Sequence, residues 1–261
     1  MSWASRRRSA YLVGVILFFL IVIGGPVLYW YLTIPATCFD GIQNQGETAI
    51  DKGGSCVILD ERYLQPYVVM WARSFPVRTG IFTAVAYIQN PNPSAGVALA
   101  HYHMGLYDSD NALIAERTGT VFIMPGGITP VIETGLDAGN RQVVHTRFEI
   151  TDAFLVWRRS VNPSASIKIN NQSVSGESAS PRVDALATNG SLDTLRNVRF
   201  VAVLFDAAGN AFAASATSLA QLNPQTSSSI VFTWPLAFPV PVGRIDIIPL
   251  LPPIQSSAGA N

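Results

Sequence analysis

At 261 residues the chain is long enough for one large domain or for two modules of about 100 residues, each able to bury a core. Its 17 basic and 17 acidic residues balance. After the apolar segment that follows Arg6 to Arg8, no stretch clusters Lys and Arg as phosphate binding requires, which argues against nucleic acid as a partner.

Residues 1–10 carry Arg6, Arg7 and Arg8, and from Ser9 to Phe39 there is no charge. Tyr11 to Leu32 is 22 residues of nearly unbroken apolar character, enough to cross about 30 Å of hydrocarbon. Residues 11–32 are therefore expected to span a membrane. No Lys or Arg follows until Lys52, so the positive-inside rule places the N-terminus in the cytoplasm and the remainder outside it. Tyr29, Trp30 and Tyr31 suit the outer interface, and Gly24-Gly25-Pro26 is expected to kink the second half. A cleaved signal would have a shorter apolar core and a small-residue site, which Ile34-Pro35-Ala36 matches poorly. Pro35-Ala36-Thr37 before Cys38 is equally unsuited to lipoprotein processing, so an uncleaved anchor is expected.

Residues 33–66 form a membrane-proximal segment holding both cysteines, Cys38 and Cys56. Outside the cytoplasm a disulfide is the natural reading, and a stretch so rich in Gly, Asp and Asn needs a staple because it cannot build a core. Asp40, Asn44, Glu47 and Asp51 are candidate oxygen ligands for Ca²⁺, although their spacing is not that of an EF-hand. The alternative is that Asp40 and Asn44 close turns on nearby backbone while Glu47 is solvated. The segment resembles a short motif of bacterial surface proteins, C-x-D-G-x-x-N-x-x-E-x-x-x-D-C-G-G-x-C. The resemblance rests on Cys38, Asp40, Gly41, Asn44, Glu47, Asp51, Gly53, Gly54 and Cys56. Lys52 stands where the motif has its middle cysteine, leaving an even pair.

Beyond Val57, short runs rich in Val, Ile, Thr, Phe and Tyr alternate with Gly, Pro, Asn and Ser clusters, the pattern of many short strands. Self-comparison gives a period of about 98 residues: strands ending at Asn90 and Asn189, long strands ending at Tyr107-Asp108 and Phe205-Asp206, and turns at Pro125 and Pro224. The expected fold is all-β, with two tandem immunoglobulin- or fibronectin-like sandwiches after one transmembrane helix. They occupy residues 67–158 and 164–253, with a polar linker at 159–163 and a disordered tail at 254–261. Alternation places Tyr102, Met104 and Leu106, and likewise Phe200, Ala202 and Leu204, in the cores. Asp108 and Asp206 are expected to close the following turns. Met104, Leu106, Tyr107 and Asp108, with Ala202, Leu204, Phe205 and Asp206, resemble the FxLYD-type domain of envelope-associated proteins, without its leading Phe. That resemblance implies a sandwich fold and an envelope location, and no reaction.

Common enzyme fingerprints are absent from the sequence. His101 and His103 share one strand face, so a metal site completed by His145 is conceivable, but surface histidines are the expected reading. Asn171 and Asn189 each begin an N-x-S triplet. The function expected from these residues is non-enzymatic: a single-pass extracytoplasmic protein presenting sandwich modules to a protein or envelope partner. The alternatives are an accessory subunit assembling through its helix and, more remotely, an extracytoplasmic hydrolase.

Overall fold

The computed structural model describes residues 3–33, 37–44 and 46–255. The chain begins with helix α1 (Trp3–Phe19), widens into a π-helical segment (Leu20–Gly24) and continues as α2 (Gly25–Thr33). Arg8–Tyr29 is long and apolar enough to cross a membrane. Pro26 has no N–H to donate and its ring crowds the preceding turn, so the wider π turn just ahead of it absorbs the defect. The expected kink is thus a π segment two residues before the proline. The side chains of Trp30 and Tyr31 lie outside the described residues.

Fourteen strands follow among the described residues. The outer sheet of the first sandwich runs β14 (Ile254–Gln255), β7 (Trp157–Val161), β3 (Ala95–Tyr107), β4 (Leu113–Ile123), with β6 (His145–Ile150) also on β3. Its inner sheet runs β1 (Val68–Arg78), β2 (Ile81–Asn90), β5 (Gly127–Asp137). In the second sandwich the inner sheet is β11 (Ala211–Leu222), β10 (Leu195–Phe205), β13 (Arg244–Leu250), and the outer is β12 (Ser227–Thr233), β9 (Arg182–Asn189), β8 (Ile167–Ser175). All pairings are antiparallel. The fold is all-β with one N-terminal membrane-length helix, as the sequence predicts.

Three apolar layers separate the four sheets. Ala84, Ala86 and Ile88 of β2 face Tyr102, Met104 and Leu106 of β3 in the first sandwich. Val198, Phe200, Ala202 and Leu204 of β10 fill the second with Phe232 and Trp234. The third layer lies between the sandwiches: Val85 and Tyr87 of β2 meet Val201, Val203 and Phe205 of β10, with Phe75, Ile132 and Leu250 around them. Trp71 stacks on Tyr87 at 4.3 Å between ring centroids and meets Phe205 edge-on at 6.3 Å. Each fully buried aliphatic or aromatic side chain contributes about 1.5–3 kcal/mol, so this layer docks the two sandwiches as one body.

Three expected boundaries shift. The first module starts before residue 67: the Leu59 N–H donates to the Trp157 carbonyl at 2.9 Å and the Arg159 N–H to that of Val57 at 2.7 Å. These bonds lay residues 57–59 along β7. The predicted linker at 159–163 is largely strand β7, where Arg158 and Arg159 pair with β3 and Ser160 is buried; the connection is instead the turn at Pro163–Ser166. The tail expected to be disordered from residue 254 begins with β14, in which Ile254 pairs with Val161 and Gln255 with Ser160. The last of the described strands thus returns to the first sandwich. Residues 256–261 lie outside the described residues.

Candidate functional site

Cys38 and Cys56 are bonded, with Cα atoms 5.5 Å apart. The staple brings Asp40, Asn44, Glu47 and Asp51 together, but around amides. Asp40 accepts from the N–H groups of Thr37 and Ile42 at 3.0 and 2.8 Å and from Asn44 Nδ2 at 3.0 Å. Asp51 accepts from the Gly41 N–H at 3.2 Å through both oxygens. Glu47 Oε2 accepts from the N–H groups of Asn44 and Asp51, while Oε1 lies 3.0 Å from Cys56 Sγ. Glu47 is therefore buried rather than solvated, because the disulfide closes over it. The Thr37 amide, then Asn44 and Ile42, hold the Asp40 carboxyl below its ordinary value. Its contribution to the loop is present at neutral pH and is lost as pH falls through the acid range. N–H dipoles thus satisfy the carboxylates of Asp40, Asp51 and Glu47, while Asn44 Oδ1 is buried without a partner among the described residues. Asp51→Asn is accordingly expected to speed amide exchange in residues 37–56 equally in Ca²⁺ and in EDTA; protection that rises with Ca²⁺ only in the parent would show an ion site instead.

The histidines do not converge. His101 Nδ1 lies 2.9 Å from Asp152 Oδ1, and His103 Nε2 lies 2.8 Å from Glu116 Oε2. His145 pairs in register with Tyr107, stacks on its ring, and places Nε2 2.8 Å from Asn111 Oδ1. Asp108 and Asp206 close their turns in the same way. Asp108 Oδ1 accepts from the N–H groups of Asp110 and Ala112 at 3.0 and 2.9 Å, and Asp206 Oδ1 from those of Ala208 and Asn210 at 2.9 and 2.8 Å. Of the two N-x-S triplets, Asn189 is fully buried and inaccessible to modification, whereas Asn171 is exposed.

One concavity was not foreseen. It is a groove of about 700 Å³ on the seam between the sandwiches, walled by the end of the β1–β2–β5 sheet and by β11 with the Trp234-Pro235 turn. Its size is that of an ordinary ligand site. On the first wall, the β2–β5 register slips between Phe82 and Ala84, where Gly135 takes φ +71°. A bulge of this kind bends the sheet end and re-aims its side chains, and Thr83 and Thr134 line the groove beside it. On the other wall lie the hydroxyls of Ser215, Thr217, Ser218 and Thr233.

Two arginines line the groove, Arg78 from the end of β1 and Arg199 from β10, and among the described residues no Asp, Glu, His, Cys or Lys lines it. Neither arginine has an ion pair among the described residues, whereas Arg62, Arg117, Arg141, Arg182 and Arg244 each reach a carboxylate. Nearby, Tyr102 donates its hydroxyl to Glu133, and Arg117 Nε lies 3.6 Å from the same carboxylate. Burial, then the bond to Glu133, raise the Tyr102 phenol well above its ordinary value, while Arg199 and Arg117 partly offset the shift. The groove thus offers fixed positive charge and hydroxyls, the means to hold an oxyanion, without a lining base or thiol to drive a reaction. Arg78 and Arg199 are more than a hundred residues apart, so no local spacing signals the site.

No family model matches the chain, and no curated protein matches it. Among solved structures it is similar to the transglutaminase of red sea bream, at 11% identity over 72% of this chain with a TM-score of 0.23. The chain spans 30% of that enzyme's length, and at this score the likeness carries no argument about fold or activity.

Proposed function

We propose that the chain is a membrane-anchored, non-enzymatic protein whose two docked sandwiches bind a protein or envelope partner outside the cytoplasm. The observation that carries this reading is the groove on the sandwich seam, cationic and hydroxyl-lined and without a catalytic base. The apolar helix supports the anchor, Arg6 to Arg8 support a cytoplasmic N-terminus, and the disulfide fits an oxidising compartment. The likeness to FxLYD-type envelope domains and to the cysteine motif of bacterial surface proteins points the same way.

One observation favours the accessory-subunit reading as well. The π segment leaves an apolar notch between Val15, Phe19, Ile23 and Gly24, where a second membrane helix could seat. Capture from native membranes with the full-length chain, in parallel with the segment from Thr37 onward, separates the two. The binding reading expects both forms to retain the same partner. Capture by the full-length chain alone would move the function into the helix.

A further inference from the structure

The groove wraps one strand in an unusual way. Five consecutive residues of β11, Ala214 to Ser218, line it. Successive side chains of a strand point to opposite faces, so a groove touching all five must run over the strand's edge. β11 is an outermost strand of its sheet and is hydrogen-bonded along one side only, to β10.

The outward backbone groups can be assigned. The Ala214 carbonyl accepts from the Trp234 Nε1–H at 3.1 Å, so that carbonyl points away from β10. In an antiparallel ladder, outward-pointing residues alternate, and the register from Val203↔Ala214 to Arg199↔Ser218 is unbroken. Ala216 and Ser218 therefore direct their N–H and C=O groups into the groove, where no other backbone group among the described residues meets them.

Exposed edges are ordinarily protected by charge, proline or bulges. Here β1 has Arg73, Pro76 and Arg78, β4 has Glu116 and Arg117, and β13 has Arg244, Asp246 and Pro249. On β8 stand Lys168 and a bulge with Asn171 at φ +53°. Like the edge strand β12 (Ser227–Thr233), Ala211–Leu222 contains neither a charged residue nor a proline, but of the two it is β11 that lines the groove with five consecutive residues, all Ala, Ser or Thr, which leave the backbone open.

Resting on the binding reading above, we infer that the free edge of β11 takes an extended acidic peptide segment as an added strand, with Arg199 and Arg78 holding its carboxylates. Main-chain pairing gives such a complex its affinity and the flanking charges give it selectivity. Five residues of edge span about 17 Å, room for a peptide of similar length.

The test uses the full-length chain in detergent micelles and a library of random eight-residue peptides. Peptides retained by the parent are expected to be enriched in Asp and Glu. Their binding slows amide exchange at Ala216 and Ser218 and weakens at least tenfold in Arg199→Ala and in Ala216→Pro. The proline removes an outward N–H and no β10 bond, so it is compatible with an edge strand. A thermal melt checks that it folds, and the exchange readout on the parent stands without it. Retained peptides lacking acidic enrichment, equal binding by Ala216→Pro, or unchanged exchange at Ala216 and Ser218 overturn the assignment, as does a β11-mediated dimer of the chain. A partner captured from native membranes with equal strength by parent and Ala216→Pro overturns this inference alone; absence of any partner overturns the binding reading with it.

Discussion

Asn189→Ala is expected to lower the unfolding free energy by roughly 2–4 kcal/mol, read as a shift in the urea midpoint at unchanged slope. Asn189 is fully buried at the end of β9. Its Nδ2 donates to the carbonyls of Asp193 and Leu222 at 2.7 and 3.1 Å, and its Oδ1 accepts from the Ser191 N–H at 2.9 Å. One amide therefore ties the end of an outer strand to the start of β10 and the end of β11 in the facing sheet. Truncation leaves the Leu222 carbonyl without its bond beside a wholly buried Leu222 side chain, and an unmet buried acceptor costs about 1–3 kcal/mol. The first sandwich has the same clamp. Asn90 donates to the carbonyls of Ala95 and Met124 at 2.7 and 2.8 Å and accepts from the Asn92 N–H at 3.0 Å. Asn92 in turn bonds the backbone of Gln65, so Asn90→Ala is expected to cost at least as much and also to loosen the approach to β1. A shift below about 1 kcal/mol in both variants would show that water replaces the lost bonds and that the asparagines only end their strands.

The two asparagines mark how far the sequence can be read. Their positions as strand ends were legible from repeat spacing, but one carbonyl partner of each, Met124 and Leu222, lies more than thirty residues away, and no local pattern names it. Alternation worked where one face is wet: Tyr102, Met104 and Leu106 are buried, and His101 and His103 lie on the opposite face. It said too little for β2 and β10. Ala84 to Ile88 and Phe200 to Phe205 are apolar at every position, the mark of a strand buried on both faces. That signal was present in the sequence but was not read as a second buried face, and the neighbour on that face is the other sandwich. β7 was misread as a linker because Arg158 and Arg159 look like solvent while Ser160 is small enough to be buried. β14 is two residues long and has no periodicity to show. Glu47 was expected in solvent because a carboxylate usually is, and only the closure of Cys56 against it removes the water.

Val203→Asp is expected to separate the sandwiches without unfolding either. Val203 is wholly buried in the layer between them, with its neighbours Ala202 and Leu204 facing the second core instead. A carboxylate there stands in register with Asp246 of β13, which already pairs with the Arg244 guanidinium, and cannot stay buried and charged without a cost of several kcal/mol. Exposing the layer is the cheaper response. The parent should melt in one transition, because its central layer couples the two cores, and the variant in two. Amides of β1 and β11 should lose protection while those of β9 retain it. Phe205→Ala is the milder counterpart, removing the ring that meets Trp71 and lies under the Arg244 guanidinium at 4.1 Å, at about 3–5 kcal/mol. The groove supplies the second readout. Its walls belong to different sandwiches, so Val203→Asp should abolish acidic-peptide binding although it alters no residue lining the site. A variant that still melts in one transition and still binds would mean that the linker turn and β14 hold the two sandwiches together without the central layer.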